Sequence, residues 1–133
     1  MEFPIPSDLA VEKEFVVEEK YVAAFLGSGA VDVLATPSMI LLMEHISRVR
    51  TDEVLPDGFT TVGTEVCVKH LDAAPKGATV KVKSRLKKQD GRKLLFEVET
   101  WWGETKVGEG THERFIINQE RFLQRLEAKT TPQ

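Results

Sequence analysis

The stretch from Thr36 to Thr51 carries the strongest pattern in the chain. Thr36 can act as an N-cap, and Pro37 fits the first helical position, where its missing N–H costs nothing. Met39, Ile40, Leu41, Leu42, Met43 and Ile46 follow. They are apolar on nearly every side, which predicts a buried helix. Ahead of it, Glu14 to Val17 reads as a short strand. Tyr21, Val22 and Phe25 predict a brief helix before Gly27-Ser28-Gly29 breaks the chain. Beyond the turn at Pro56-Asp57-Gly58 the period changes from 3.6 to 2. Val62, Thr64, Val66, Val68 and His70 share one face of a strand, with Glu65, Cys67 and Lys69 on the other. Ala73 to Gly77 connects to a second strand with Val80, Val82, Ser84 and Leu86 inward and Lys81, Lys83, Arg85 and Lys87 outward. Asp90-Gly91 signals a two-residue hairpin. Leu94, Phe96, Val98 and Trp102 mark the next strand, and Gly103-Glu104 turns it into a last one from Thr105 to Ile117. A closing helix begins near Asn118, with Phe122, Leu123 and Leu126 on one face.

These elements predict one α+β domain over residues 1–133, an antiparallel sheet wrapped around a central buried helix. The layout leaves an edge strand and part of the helix open. A homodimer that closes them is expected, with a dimer of dimers left open.

Composition narrows the function. The 133 residues carry 18 basic and 21 acidic side chains, a formal net charge of −3, which argues against broad nucleic-acid binding. The basic strip Lys81, Lys83, Arg85, Lys87, Lys88, Arg92 and Lys93 reads as a solvated sheet face, with an anchor for substrate phosphates as its functional alternative. A lone Cys67 excludes an internal disulfide and a cysteine-rich zinc site, and the three histidines lack metal-ligand spacing. The N-terminus lacks the pattern of a signal peptide, and the apolar run Met39 to Met43 is too short to span a membrane. A cytoplasmic protein with no membrane partner is expected.

Three residues could carry chemistry. Glu44 sits inside the apolar helix, where a carboxylate must be paired, protonated or facing a cavity. Its ordinary reading is an i,i+4 ion pair with Arg48. His70 ends the inward row after Val66 and Val68 and is either a satisfied core histidine or a catalyst. His45 and His112 are weaker candidates, since His45 flanks the helix and His112 alternates with Gly110 and Arg114. Thr36 is either a cap or a hydroxyl placed at a helix N-terminus, which can stabilise an oxyanion.

Several ordered blocks together resemble the hotdog-fold thioesterases related to fluoroacetyl-CoA thioesterase. They are Ala35-Thr36, Leu42-Met43-Glu44, Gly63-Thr64-Glu65-Val66-Cys67-Val68-Lys69-His70, Ala73-Ala74-Pro75-Lys76-Gly77 and Gly110-Thr111-His112-Glu113-Arg114. The resemblance implies a hotdog fold and a dimer with two active sites at its interface. It implies a catalytic triad at Thr36, Glu44 and His70, and an acyl pocket lined or supported by Gly63 and Arg114. It also implies an acyl-CoA substrate, with coenzyme A entering only as part of it. Glu44 would attack the thioester carbonyl or activate water, His70 would shuttle a proton, and Thr36 would bond Glu44 or act as nucleophile. The fluoroacetyl-specific member carries aromatic lid residues just before its threonine helix. Gly27 to Leu34 has none, which predicts a more open pocket and a short or medium acyl group. Two other readings stand beside hydrolysis: a hotdog enoyl-thioester hydratase, and a non-catalytic acyl-CoA-binding module, which gains if Glu44 pairs with Arg48 facing solvent.

Overall fold

The computed structural model describes residues 2–130. Five antiparallel strands form one sheet in the order β1-β3-β4-β5-β2, with β1 at Ala10–Val16, β2 at Phe59–His70, β3 at Thr79–Asp90, β4 at Lys93–Trp102 and β5 at Thr105–Asn118. A short helix α1 (Ala23–Leu26) precedes the long helix α2 (Thr36–Asp52), and α3 (Gln119–Thr130) follows β5. Met39, Leu42, Met43 and Ile46 of α2 are buried against Val80, Val82 and Leu86 of β3 and Leu94, Phe96 and Val98 of β4. The sheet wraps the helix, as the alternation of β3 and β4 requires.

Helix α2 departs from the expected all-apolar cylinder. Leu41 is 56% exposed, while the buried face accepts Ser38, Ser47 and Thr51. Two of these hydroxyls are satisfied within the helix: Ser47 donates to the Met43 carbonyl and Thr51 to the Ser47 carbonyl. Ser47 and Ser84 also share a 2.7 Å hydrogen bond that ties the helix to β3. Apolar content overstated the burial because one helix flank is left without a neighbour in this chain.

Strand β1 begins four residues earlier than its apolar end suggested. It is an edge strand whose Glu12 and Glu14 lie opposite Lys83 and Lys81 of β3, and an edge tolerates that polarity. On the outer face Arg85 and Lys87 meet Glu97, Lys83 meets Glu12, and Lys106 meets Glu99 and Glu109. The lysine and arginine strip is therefore interleaved with carboxylates and behaves as a solvated face.

Both tight hairpins place glycine at a left-handed first position, Gly91 at φ 61° and Gly103 at φ 57°. The first turn falls on Gly91-Arg92, since Asp90 pairs with Lys93, one residue later than the Asp90-Gly91 signal. Trp102 is 41% exposed. A register shift between Thr100 and Trp101 interrupts the alternation that would have turned it inward. Helix α3 buries no side chain, and Leu123 and Leu126 of its apolar stripe remain exposed.

Candidate active site

A β-bulge in β2 decides which side chains face the helix. Pairing with β5 shifts between Gly63 and Glu65. After the shift, Val66, Val68 and His70 occupy the inward row. Before it, the inward positions are Thr61, 3% exposed, and Gly63, whose missing side chain points at Glu44 and His112. Val62 and Thr64 were expected inward with His70. Instead Val62 lies opposite the exposed Phe115, and the Thr64 hydroxyl donates to Glu113 on the exposed side. One extra residue inverts the phase of everything before it.

The bulge separates two groups of polar side chains. In the first, Thr36 Oγ1 and His70 Nδ1 share a hydrogen bond of 2.7 Å. Ala35 occupies the cap position of α2, and no side chain caps the helix there, so the Thr36 hydroxyl is directed at the histidine. Burial holds His70 below the ordinary histidine pKa, with nearby Asp72 opposing through its backbone and its charge. Nε2 of His70 is buried without a hydrogen-bond partner. A native orphan of that kind calls for a functional reason.

In the second group, Glu44 Oε2 stands 3.9 Å from Arg114 Nη1. Arg48 takes Asp52 instead, at 2.8 Å, so the i,i+4 alternative for Glu44 does not form. The Arg114 guanidinium is 5% exposed. It donates through Nε to Thr61 Oγ1 at 2.6 Å and through Nη2 to the Thr61 carbonyl at 2.8 Å. Burial lowers its pKa and the Glu44 charge opposes that; arginine stays charged regardless. Gly63 closes the group. A β-carbon there would lie 3.1 Å from Glu44 Oε2, 3.2 Å from His112 Cε1 and 3.4 Å from Arg114 Nη1, so any side chain there would crowd the carboxylate.

Within one chain these two groups stay apart. Thr36 and Glu44 are eight residues along a single helix, about 12 Å of axial rise. Gly63 and His70 are seven residues along a strand, about 23 Å. The fold thus joins Thr36 to His70 and Glu44 to Gly63 and Arg114, without joining the pairs.

His112 belongs to the second group. It is 1% exposed and hydrogen-bonded at both ring nitrogens. Its two-residue spacing from Arg114 on β5 is the signal that places both on the inward face. His45 is exposed. Phe25, two residues before the Gly27 to Leu34 stretch, is 62% exposed, so an aromatic ring does stand ahead of the threonine helix, carried by α1.

Known proteins share this arrangement of helix and sheet. The fluoroacetyl-CoA-specific thioesterase family, FlK, matches residues 16–120. The fluoroacetyl-CoA thioesterase of Streptantibioticus cattleyicolor is 37% identical over 99 residues, 74% of this chain and 71% of the relative. A solved structure of an FlK mutant in complex with fluoroacetate and CoA superposes with a TM-score of 0.83 at 32% identity, covering 89% of this chain and 99% of that one. The hot-dog-like protein from Thermanaerovibrio acidaminovorans superposes with a TM-score of 0.89 at 17% identity, over 97% of this chain and 96% of its own, a likeness of fold. The family match spans Thr36, Glu44, Gly63, His70 and Arg114 together, and the chain belongs to the fluoroacetyl-CoA-specific thioesterase family.

Proposed function

We propose that this protein is an acyl-CoA thioesterase that hydrolyses a short or medium acyl thioester to the free acid and coenzyme A. The observation that carries the reading is the 2.7 Å hydrogen bond between Thr36 and His70 at the start of α2. It joins a hydroxyl released from capping to a neutral imidazole beside a helix N-terminus, where developing oxyanion charge is stabilised. Glu44 supplies the carboxylate that attacks the carbonyl or activates water. Its neighbours Gly63 and Arg114 form the wall against which a small acyl group rests.

Two copies of the chain complete each site. Strand β2 is an edge strand with residues 63 to 67 exposed. Leu41, Val66 and Leu71 are exposed apolar side chains of β2, its end and the uncovered helix flank. An unpaired edge with apolar neighbours is a template for a second strand. Antiparallel pairing of β2 with its copy, centred between Val66 and Cys67, sets Gly63 opposite the partner's His70. The two half-sites of one chain then each meet the complementary half of the other, which gives a homodimer with two sites. Among the described residues no helix is long and apolar enough to cross a membrane.

The test is release of free thiol from a panel of acyl-CoAs by the parent chain, Glu44→Gln and His70→Ala. Turnover by the parent, with folded variants slower by at least about a hundredfold, is the expected result, in line with the usual contribution of a positioned acid or base. Absence of cleavage, with acyl-CoA still bound, would replace hydrolysis by the binding-module reading.

A further inference from the structure

The second half-site contains a histidine whose protonation state is dictated by its partners. His112 Nδ1 lies 2.9 Å from the Glu65 carbonyl oxygen. A carbonyl only accepts, so Nδ1 carries the proton. His112 Nε2 lies 3.0 Å from Arg114 Nη1. A guanidinium only donates, so Nε2 presents its lone pair. Both ring positions are thereby assigned, and neutral imidazole is the one form that satisfies them. A protonated ring would set N–H against N–H and one cation against another.

The consequence falls on Arg114. Its Nε and Nη2 are held by Thr61, and its Nη1 is held by His112 on one side while Glu44 waits on the other at 3.9 Å. That separation is ion-pair range and longer than a hydrogen bond. Nη1 carries two N–H groups; His112 accepts one of them and so fixes where the guanidinium ends relative to Glu44. Because its other nitrogen is tied to Glu65, the second residue of the bulge, the ring also fixes the strand irregularity to the arginine.

We propose that His112 is a positioning residue of the acyl site, a neutral hydrogen-bond acceptor that holds Arg114 back from Glu44 so that the carboxylate stays free to act. Without that acceptor, Nη1 closes on Glu44 and the two charges bind each other rather than the substrate. The groups facing His112 are Arg114 on its own strand and Glu44 from α2; Phe96 lies opposite it on β4, and Glu65 reaches it through its backbone. This inference rests on the thioesterase reading and adds a residue to it.

Two substitutions separate the ring's two roles. His112→Gln places an amide oxygen near the Nε2 position, where it can accept from Arg114. His112→Asn keeps an N–H near Nδ1 and removes the acceptor. Hydrolysis by the parent chain is measured first and bears on the thioesterase reading alone. With parent activity in hand, kcat/KM should fall about tenfold to a hundredfold in His112→Asn, the weight of one hydrogen bond to a charged group, and stay within about threefold of the parent in His112→Gln. Equal activity in parent and His112→Asn, or equal loss in two folded variants, would overturn the proposal. Nitrogen-15 NMR of the parent's imidazoles gives a readout free of activity. A neutral Nδ1–H tautomer for His112 at pH 7 is expected, and an Nε2–H tautomer or a charged ring would overturn the assignment.

Discussion

Thr36 shows how a residue's neighbours can outrank its local preference. Threonine before proline is a standard helix opening, yet here Ala35 is the cap and the hydroxyl bonds His70. Thr36→Val keeps the shape and removes the oxygen. A lost cap would cost about 1 kcal/mol; we expect the unfolding free energy to move by less than about 0.5 kcal/mol, as for surface substitutions, while turnover drops by more than tenfold, measured by denaturant titration and thiol release on one preparation. A stability loss with activity intact would return Thr36 to the capping role. The sequence alone left Thr36 undecided because its partner is 34 residues away. Glu44 was more legible, since a carboxylate amid apolar neighbours demands an explanation. His112 offers no such signal: nothing near it in sequence tells that both ring nitrogens are engaged.

At the scale of elements, periodicity located all four long strands and the central helix, because alternation and helical spacing are properties of neighbouring residues. It failed where one residue changes the phase. The shift between Gly63 and Glu65 turned Val62 and Thr64 outward, and that between Thr100 and Trp101 exposed Trp102. Strand β5 carries a different kind of signal. A β-carbon at Gly110 would run into the Cys67 carbonyl and the Val68 backbone of β2. Strand backbone does not give way as a side chain tip does. Gly110→Ala should therefore destabilise the fold by about 1–3 kcal/mol, the usual cost of overpacking, and loosen β2 from β5. Hydrogen exchange would register this as lost protection along β2; unchanged protection would mean the strands can part slightly without cost.

For the whole molecule, the two half-sites make a strong test of assembly. Glu44→Gln and His70→Ala each remove one half. If sites are shared between copies, mixing the two inactive variants under exchange conditions regenerates one intact site in each mixed dimer. Activity should then return to a sizeable fraction of the parent's. A mixture as inactive as its components would place each site within one chain. The histidines also make the fold's stability depend on pH. Burial lowers both His70 and His112, and the Arg114 charge adds to the effect at His112. The unfolded chain then binds more protons than the folded one, so stability is full above the ordinary histidine range, about pH 6.5, and is lost as pH falls below it. His112→Gln should flatten that decline in a denaturant series from pH 8 to 5. The bulge in β2 has a last consequence, for inheritance rather than for energy. In the proposed site it divides a single strand into a stretch that would answer to the acyl group and a stretch that would answer to the Thr36–His70 pair. Mutations on the first stretch can retune which acid is released while the second is passed on unchanged, so a lineage carrying this fold can change its diet without relearning its chemistry.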